Sequence, residues 1–120
     1  AENLFNAAKE RLKEIIPLFP RDKAYKIIEE YYEIIVQLIT SIMYSDGYKT
    51  LSHIGLIKYL SKKYDEFDDN EIKTIDGLRK IRHGIIYYGK QEEKEFLINY
   101  EEVIKNIVSK LTAIIEKRFK

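Results

Sequence analysis

Five side chains in one short stretch have types suited to phosphate chemistry: Arg79, Arg82, His83, Tyr87 and Tyr88, within Leu78 to Lys90 (LRKIRHGIIYYGK). A guanidinium can grip a phosphate through two parallel hydrogen bonds. An imidazole, titrating at about 6.5 when free, is the side chain best matched to proton transfer near neutral pH. A tyrosine titrates at about 10 and is a poor base, but its hydroxyl donates a hydrogen bond and its ring stacks on a nucleobase. Packing alone does not call for such a cluster on a helix that otherwise faces a core.

Residues three or four apart share a helix face, so Arg79, His83 and Tyr87 are expected along one side. Arg82 is expected elsewhere, near Ile75, Leu78 and Ile85 on the apolar stripe. There it must run its stem over apolar surface, meet a carboxylate, or face a second subunit. The local charge agrees with an anionic ligand. Residues 65–71 hold five acidic side chains, whereas residues 72–90 hold five basic ones against Asp76, a local balance of +4 in a chain of net charge +1. Basic patches favour phosphate-bearing partners, although a solvated helix face has the same composition.

The elements that carry these residues read as helices throughout. Leu4, Ala7, Ala8, Leu12, Ile15 and Ile16 recur at helical spacing until Pro17 and Pro20. Asp22 is expected to cap a second helix over Ala24–Tyr44, with Tyr25, Ile28, Tyr32, Ile35, Ile39 and Ile42 on one stripe widened by Ile27, Tyr31, Ile34 and Leu38. A helix apolar over so much of its circumference is a central one. Asp46-Gly47 is a stop signal. Thr50 or Ser52 can cap a third helix, with Ile54, Ile57, Leu60 and Tyr64 inward, and His53 reads as a capping-region or partly buried histidine. Tyr25, Tyr31, Tyr32 and Tyr44 read as core or interface aromatics. The acidic Asp65–Asn70 run suits the positive start of a fourth helix, expected from about Asn70 to Tyr88 and closed by Gly89. It would bury Ile72, Ile75, Leu78, Ile81 and Ile85. A last helix, Glu92–Phe119, places Phe96, Tyr100, Val103, Ile104, Ile107, Leu111, Ile114 and Ile115 inward. The expectation is a single all-α domain over residues 1–120, an up-and-down four-helix bundle with an additional short helix.

Composition excludes several classes. With no cysteine and only two histidines, disulfides and thiolate metal sites are out and a multi-histidine metal centre within one chain is disfavoured. No cofactor is expected. The greasiest run, Ile34 to Met43, is broken by Gln37, Thr40 and Ser41 and is too short to span a bilayer. With no basic-then-apolar leader, the expected location is the cytoplasm, away from membranes.

The stretch LRKIRHGIIYYG resembles the signature of HEPN domains (higher eukaryotes and prokaryotes nucleotide-binding). That signature is an Arg, then Asn, Asp or His, then three residues, then His. Arg82-His83 matches the first two positions, and Tyr87 stands where the catalytic histidine falls. GYKTLSHIGLIKYL, from Gly47 to Leu60, and the Ala24–Tyr44 helix before it also resemble prokaryotic members, so the resemblance covers the chain in order and length. It implies a HEPN-like fold and a homodimer in which Arg82, His83 and Tyr87 of two subunits meet in one cleft. Active members are metal-independent endoribonucleases: a base deprotonates the ribose 2′-hydroxyl, an acid protonates the leaving oxygen, and a cation steadies the phosphorane. With Tyr87 in the histidine's place, the resemblance implies RNA or nucleotide binding through Arg79, Arg82, His83 and Tyr88 ahead of cleavage. It also implies a small nucleotidyltransferase partner in a toxin–antitoxin-type module. Such a partner can attach AMP to a tyrosine near the motif, here Tyr88 or Tyr87, although the family's tyrosine position falls on Gly89. The alternatives are an active ribonuclease toxin and a purely structural dimeric bundle.

Overall fold

The computed structural model describes residues 2–49, 52–85 and 89–118. These form an all-α helical bundle. Helix α1 spans Glu2–Glu10 and runs on through a wide π-type turn, Arg11–Ile15, into a tight turn, Ile16–Leu18; α2 spans Ala24–Ser45, α3 His53–Lys63, α4 Asp69–Arg82 and α5 Lys90–Arg118. No strand occurs among the described residues. The first helix ends as the prolines predict. Pro17 lacks the N–H that would continue the ladder and its ring crowds the carbonyl four residues back, so the preceding turn widens. Arg11 braces that turn with paired hydrogen bonds of 2.7 and 3.0 Å to Glu30 on α2.

Helix α2 is the centre of the molecule, packed by α1, α3, α4 and α5. Its isoleucines explain this. Ile27, Ile28, Ile34, Ile35, Ile39 and Ile42 are all buried, so every side of the helix needs a neighbour. Tyr25 departs from the expected stripe: in the first turn the core is met by Ala24 and Ile27, and Tyr25 is exposed, as is Tyr44 at the other end. Asp22 does not cap α2. Lys23 occupies that position and no side chain closes the helix start. The starts of α3 and α4 are capped by side chains. Ser52 Oγ accepts the Gly55 N–H at 3.0 Å, and Asp68 and Glu71 form a reciprocal capping box of 2.8 and 3.0 Å. Lys110 of α5 donates to Glu71 Oε1 at 2.8 Å, which docks the start of α4 onto α5.

Helix α4 stops six residues short of the expected Tyr88. Gly84 takes a left-handed conformation (φ +71°), the Gly84 N–H reaches the Ile81 carbonyl at 3.2 Å, and the Ile85 N–H reaches the Lys80 carbonyl at 2.8 Å. This is a Schellman closure, in which a glycine past the last helical residue lets the chain turn back on the final carbonyls. Ile85 is consequently 59% exposed instead of buried. A Cβ at Gly84 would meet nothing within 4 Å, so only backbone strain opposes a side chain there. Gly84→Ala is therefore expected to destabilise the protein by about 1 kcal/mol in urea unfolding. An unchanged midpoint would mean that the left-handed turn is not required.

On α3 the inward stripe is Leu56, Ile57 and Leu60, while Ile54 is 49% exposed. Seven residues before Leu60 on the same side of that helix stands His53, not an apolar residue. On α5 the buried set is Leu97, Ile104, Ile107, Val108, Leu111 and Ile115. Tyr100, expected inward, is mostly outside that set and rests its ring 4.8 Å from Phe96.

Candidate functional site

Three helices bring their polar residues together at one place. From the middle of α2 comes Tyr32, fully buried; from the first turn of α3 comes His53; from the residue that closes α4 comes His83. The Tyr32 hydroxyl and His53 Nδ1 share a 2.7 Å hydrogen bond, whose donor depends on the imidazole tautomer. The two imidazole centroids lie 4.8 Å apart, and the His83 ring stands edge-on to Tyr32 at 5.9 Å.

The arginines frame this group unequally. Arg79, placed on the flank of the buried stripe, is buried and donates from Nε to Asp76 Oδ1 at 2.8 Å. Lys80 also reaches Asp76, at 3.3 Å. Arg82 shares the side of α4 that carries Leu78, as its spacing predicts, but the helix ends there and the core runs out. Its side chain is 41% exposed and pairs with Glu29 of α2 at 3.8 Å, too long for a hydrogen bond. Of the three fates expected for Arg82, it has therefore met a carboxylate. It is Arg79, not Arg82, that lies buried.

The electrostatics separate the titratable groups. Partial desolvation lowers the His83 pKa from its ordinary value, and the nearness of His53, Arg79 and Arg82 lowers it further, with Glu33 opposing. His83 is thus held as a neutral imidazole near pH 7, able to accept a proton. Burial pushes the Tyr32 phenol up to about 12, so it stays protonated and serves as a hydrogen-bond partner only. The arrangement can hold an anion beside Arg82 and can move a proton at His83.

Of the residues picked from the sequence, Arg79, Arg82 and His83 come together within one short reach of α4. Tyr87 and Tyr88 lie outside the described residues, as does Thr50. Of the expected common face of Arg79, His83 and Tyr87, the described part is Arg79 in the last turn of α4 and His83 at its C-cap, with Gly84 closing the helix directly after. His53, read as a capping-region residue, does sit in the first turn beyond the Ser52 cap, yet it also faces Tyr32 and His83. Tyr32 and Glu29 were not legible as site residues. The available signal was His53 standing on the apolar side of α3.

The fold defines an all-α bundle that gathers two histidines, a tyrosine and two arginines where α2, α3 and α4 meet. No protein-family model, curated protein or solved structure matches the chain. No helix among the described residues is long and apolar enough to cross a membrane, and no group of three or more metal-binding side chains occurs among them.

Proposed function

We propose that this chain is a HEPN-like domain that binds RNA through phosphate contacts at Arg82 and His83. It would work as a homodimer beside a small nucleotidyltransferase in a toxin–antitoxin-type module of the cytoplasm. One observation carries the binding reading: an exposed arginine and an exposed histidine adjoin on the surface, next to a second histidine 4.8 Å away. The resemblance of LRKIRHGIIYYG to the HEPN signature supplies the family and partner, and the all-α bundle agrees with it. Arg82 gives a guanidinium whose only ion pair, with Glu29 among the described residues, is loose enough to yield to a phosphate.

The expected result is a clear loss on removing that guanidinium. In fluorescence anisotropy with a short single-stranded RNA, Arg82→Ala should weaken binding roughly tenfold to a hundredfold, the effect of one charge-assisted contact. Affinity should also fall steeply with salt. Lys117→Ala, at the end of α5 that lies beside Asp46, should leave binding unchanged. A purely structural role for Arg82 predicts the opposite pattern: a weaker dimer in light scattering with RNA affinity untouched. The same light-scattering run tests the composite site, which a monomer at micromolar concentration would remove.

A second reading, an active metal-independent endoribonuclease, is favoured by the pairing of His53 with His83. Two imidazoles beside a guanidinium provide the acid, base and cation that transesterification needs even with a tyrosine at position 87. Cleavage of single-stranded RNA in chelator, lost in Arg82→Ala, is its expected result; intact RNA at every pH tried counts against it.

A further inference from the structure

We infer that His53, seated by Tyr32, is a second anion-binding imidazole of this site, so that holding an RNA phosphate takes up a proton at the His53–His83 pair. The inference rests on the RNA-binding reading above and names how that site is regulated.

The charges around the pair give the reason. From α4, Arg79 and Lys80 pair with Asp76 and Arg82 stands beside them; from α2, Glu29 pairs with Arg82 and Glu33 lies in the field of His83. That is three positive side chains against three negative ones. With both imidazoles neutral, the place has no surplus charge to offer a phosphate. Two imidazolium rings at 4.8 Å would repel one another, and burial with the nearby arginines already holds His83 back from protonation in the unliganded site. An anion between the rings and Arg82 reverses the balance, because it stabilises each proton that it meets. Tyr32 fits both states. Its hydroxyl donates to a neutral His53 Nδ1 or accepts from a protonated one, and either way Nε2 is the nitrogen left for a ligand. The Tyr32 phenol itself does not titrate in this range, so the protons belong to the histidines.

The experiment is calorimetric titration of the full chain with a short 2′-O-methyl oligouridylate. Its phosphodiesters do not titrate near neutrality and it lacks the 2′-hydroxyl that cleavage would need. Runs in two buffers of different ionisation enthalpy, from about pH 8 to about pH 5.5, count the protons taken up. We expect uptake approaching one proton near neutrality and affinity rising roughly tenfold on acidification. His53→Gln should reduce the uptake and flatten the pH profile while keeping the binding that Arg82 supports. Tyr32→Phe keeps both imidazoles and should shift the midpoint of the profile. Binding with equal heats in both buffers and no pH dependence, still weakened by Arg82→Ala, would overturn the inference and leave the RNA-binding reading standing. Uptake unchanged in folded His53→Gln would overturn the role of His53. No binding by the unaltered protein at any pH would overturn both. The two-buffer comparison on the unaltered protein decides the proton count even where a variant fails to fold.

Discussion

Ile35→Ala is expected to destabilise the protein by about 2–5 kcal/mol, the range for deleting a fully buried isoleucine side chain. Ile35 lies mid-length on α2 with no exposed surface, in the core that the surrounding helices share. Truncation removes apolar area that folding had withdrawn from water and leaves a hole that rigid neighbours fill only partly. Since small domains are stable by only about 5–15 kcal/mol, the loss is a large share of the total. Urea unfolding checks it: the midpoint should fall with the slope unchanged. A shift below about 0.5 kcal/mol would show that α2 is not the packed centre of the bundle.

Glu101→Ala is expected to cost about 2–3 kcal/mol through a polar network, not a cavity. Glu101 on α5 accepts a 2.8 Å hydrogen bond from the buried Tyr31 hydroxyl of α2 and is gripped by both terminal nitrogens of Arg21 at 2.5 and 3.1 Å. Removing the carboxylate leaves the buried Tyr31 side chain without the acceptor of its hydroxyl. Glu101→Gln keeps an acceptor for Tyr31 and should cost less. The pH dependence has a definite sign. The Arg21 hydrogen bond, joined by that of Tyr31, holds the Glu101 carboxyl below its ordinary range despite the opposing effect of burial. A carboxyl depressed by folding contributes its full stability above the unfolded value of about 4.3 and loses it as pH falls through the folded value. Asp46 has the same sign: burial pushes it up, but hydrogen bonds from Tyr59, Arg118 and Tyr64 outweigh that and hold it low. Acid unfolding followed by circular dichroism should therefore begin below about pH 4.3, and Glu101→Gln should show a shallower acid limb. An unaltered acid limb in that variant would contradict the network.

What was legible in the sequence followed from periodicity. The isoleucine run of α2 marked a helix needing neighbours on all sides, and its bounds differ from the structure by a single residue at the end. The acidic run before α4 suits a helix start, and Asp68 with Glu71 fulfils that role. The misplaced end of α4 has a simple cause. Ile85, Ile86 and Tyr87 continue an apolar pattern, which points past Gly84 to Gly89, yet a glycine followed by an isoleucine is itself a helix-ending pair. Ile54 and Tyr100 look inward by spacing alone, but the stripe that packs is set by which neighbours α3 and α5 meet. The candidate site was half visible. Arg79, Arg82 and His83 lie close in sequence, so their cluster is legible locally. Tyr32, His53 and Glu29 join them only through the packing of α2 and α3 against the end of α4, and no local pattern encodes that meeting.

The most direct measurement of the central claim is the imidazole region of the NMR spectrum of the unaltered protein during titration with a short 2′-O-methyl oligouridylate. Binding at Arg82 and His83 predicts that the His83 signals move first and saturate, with backbone shifts gathered at the end of α4 and the start of α3. Saturating shifts placed elsewhere, such as on α5 beyond Tyr100, with the histidine signals unmoved, would contradict it.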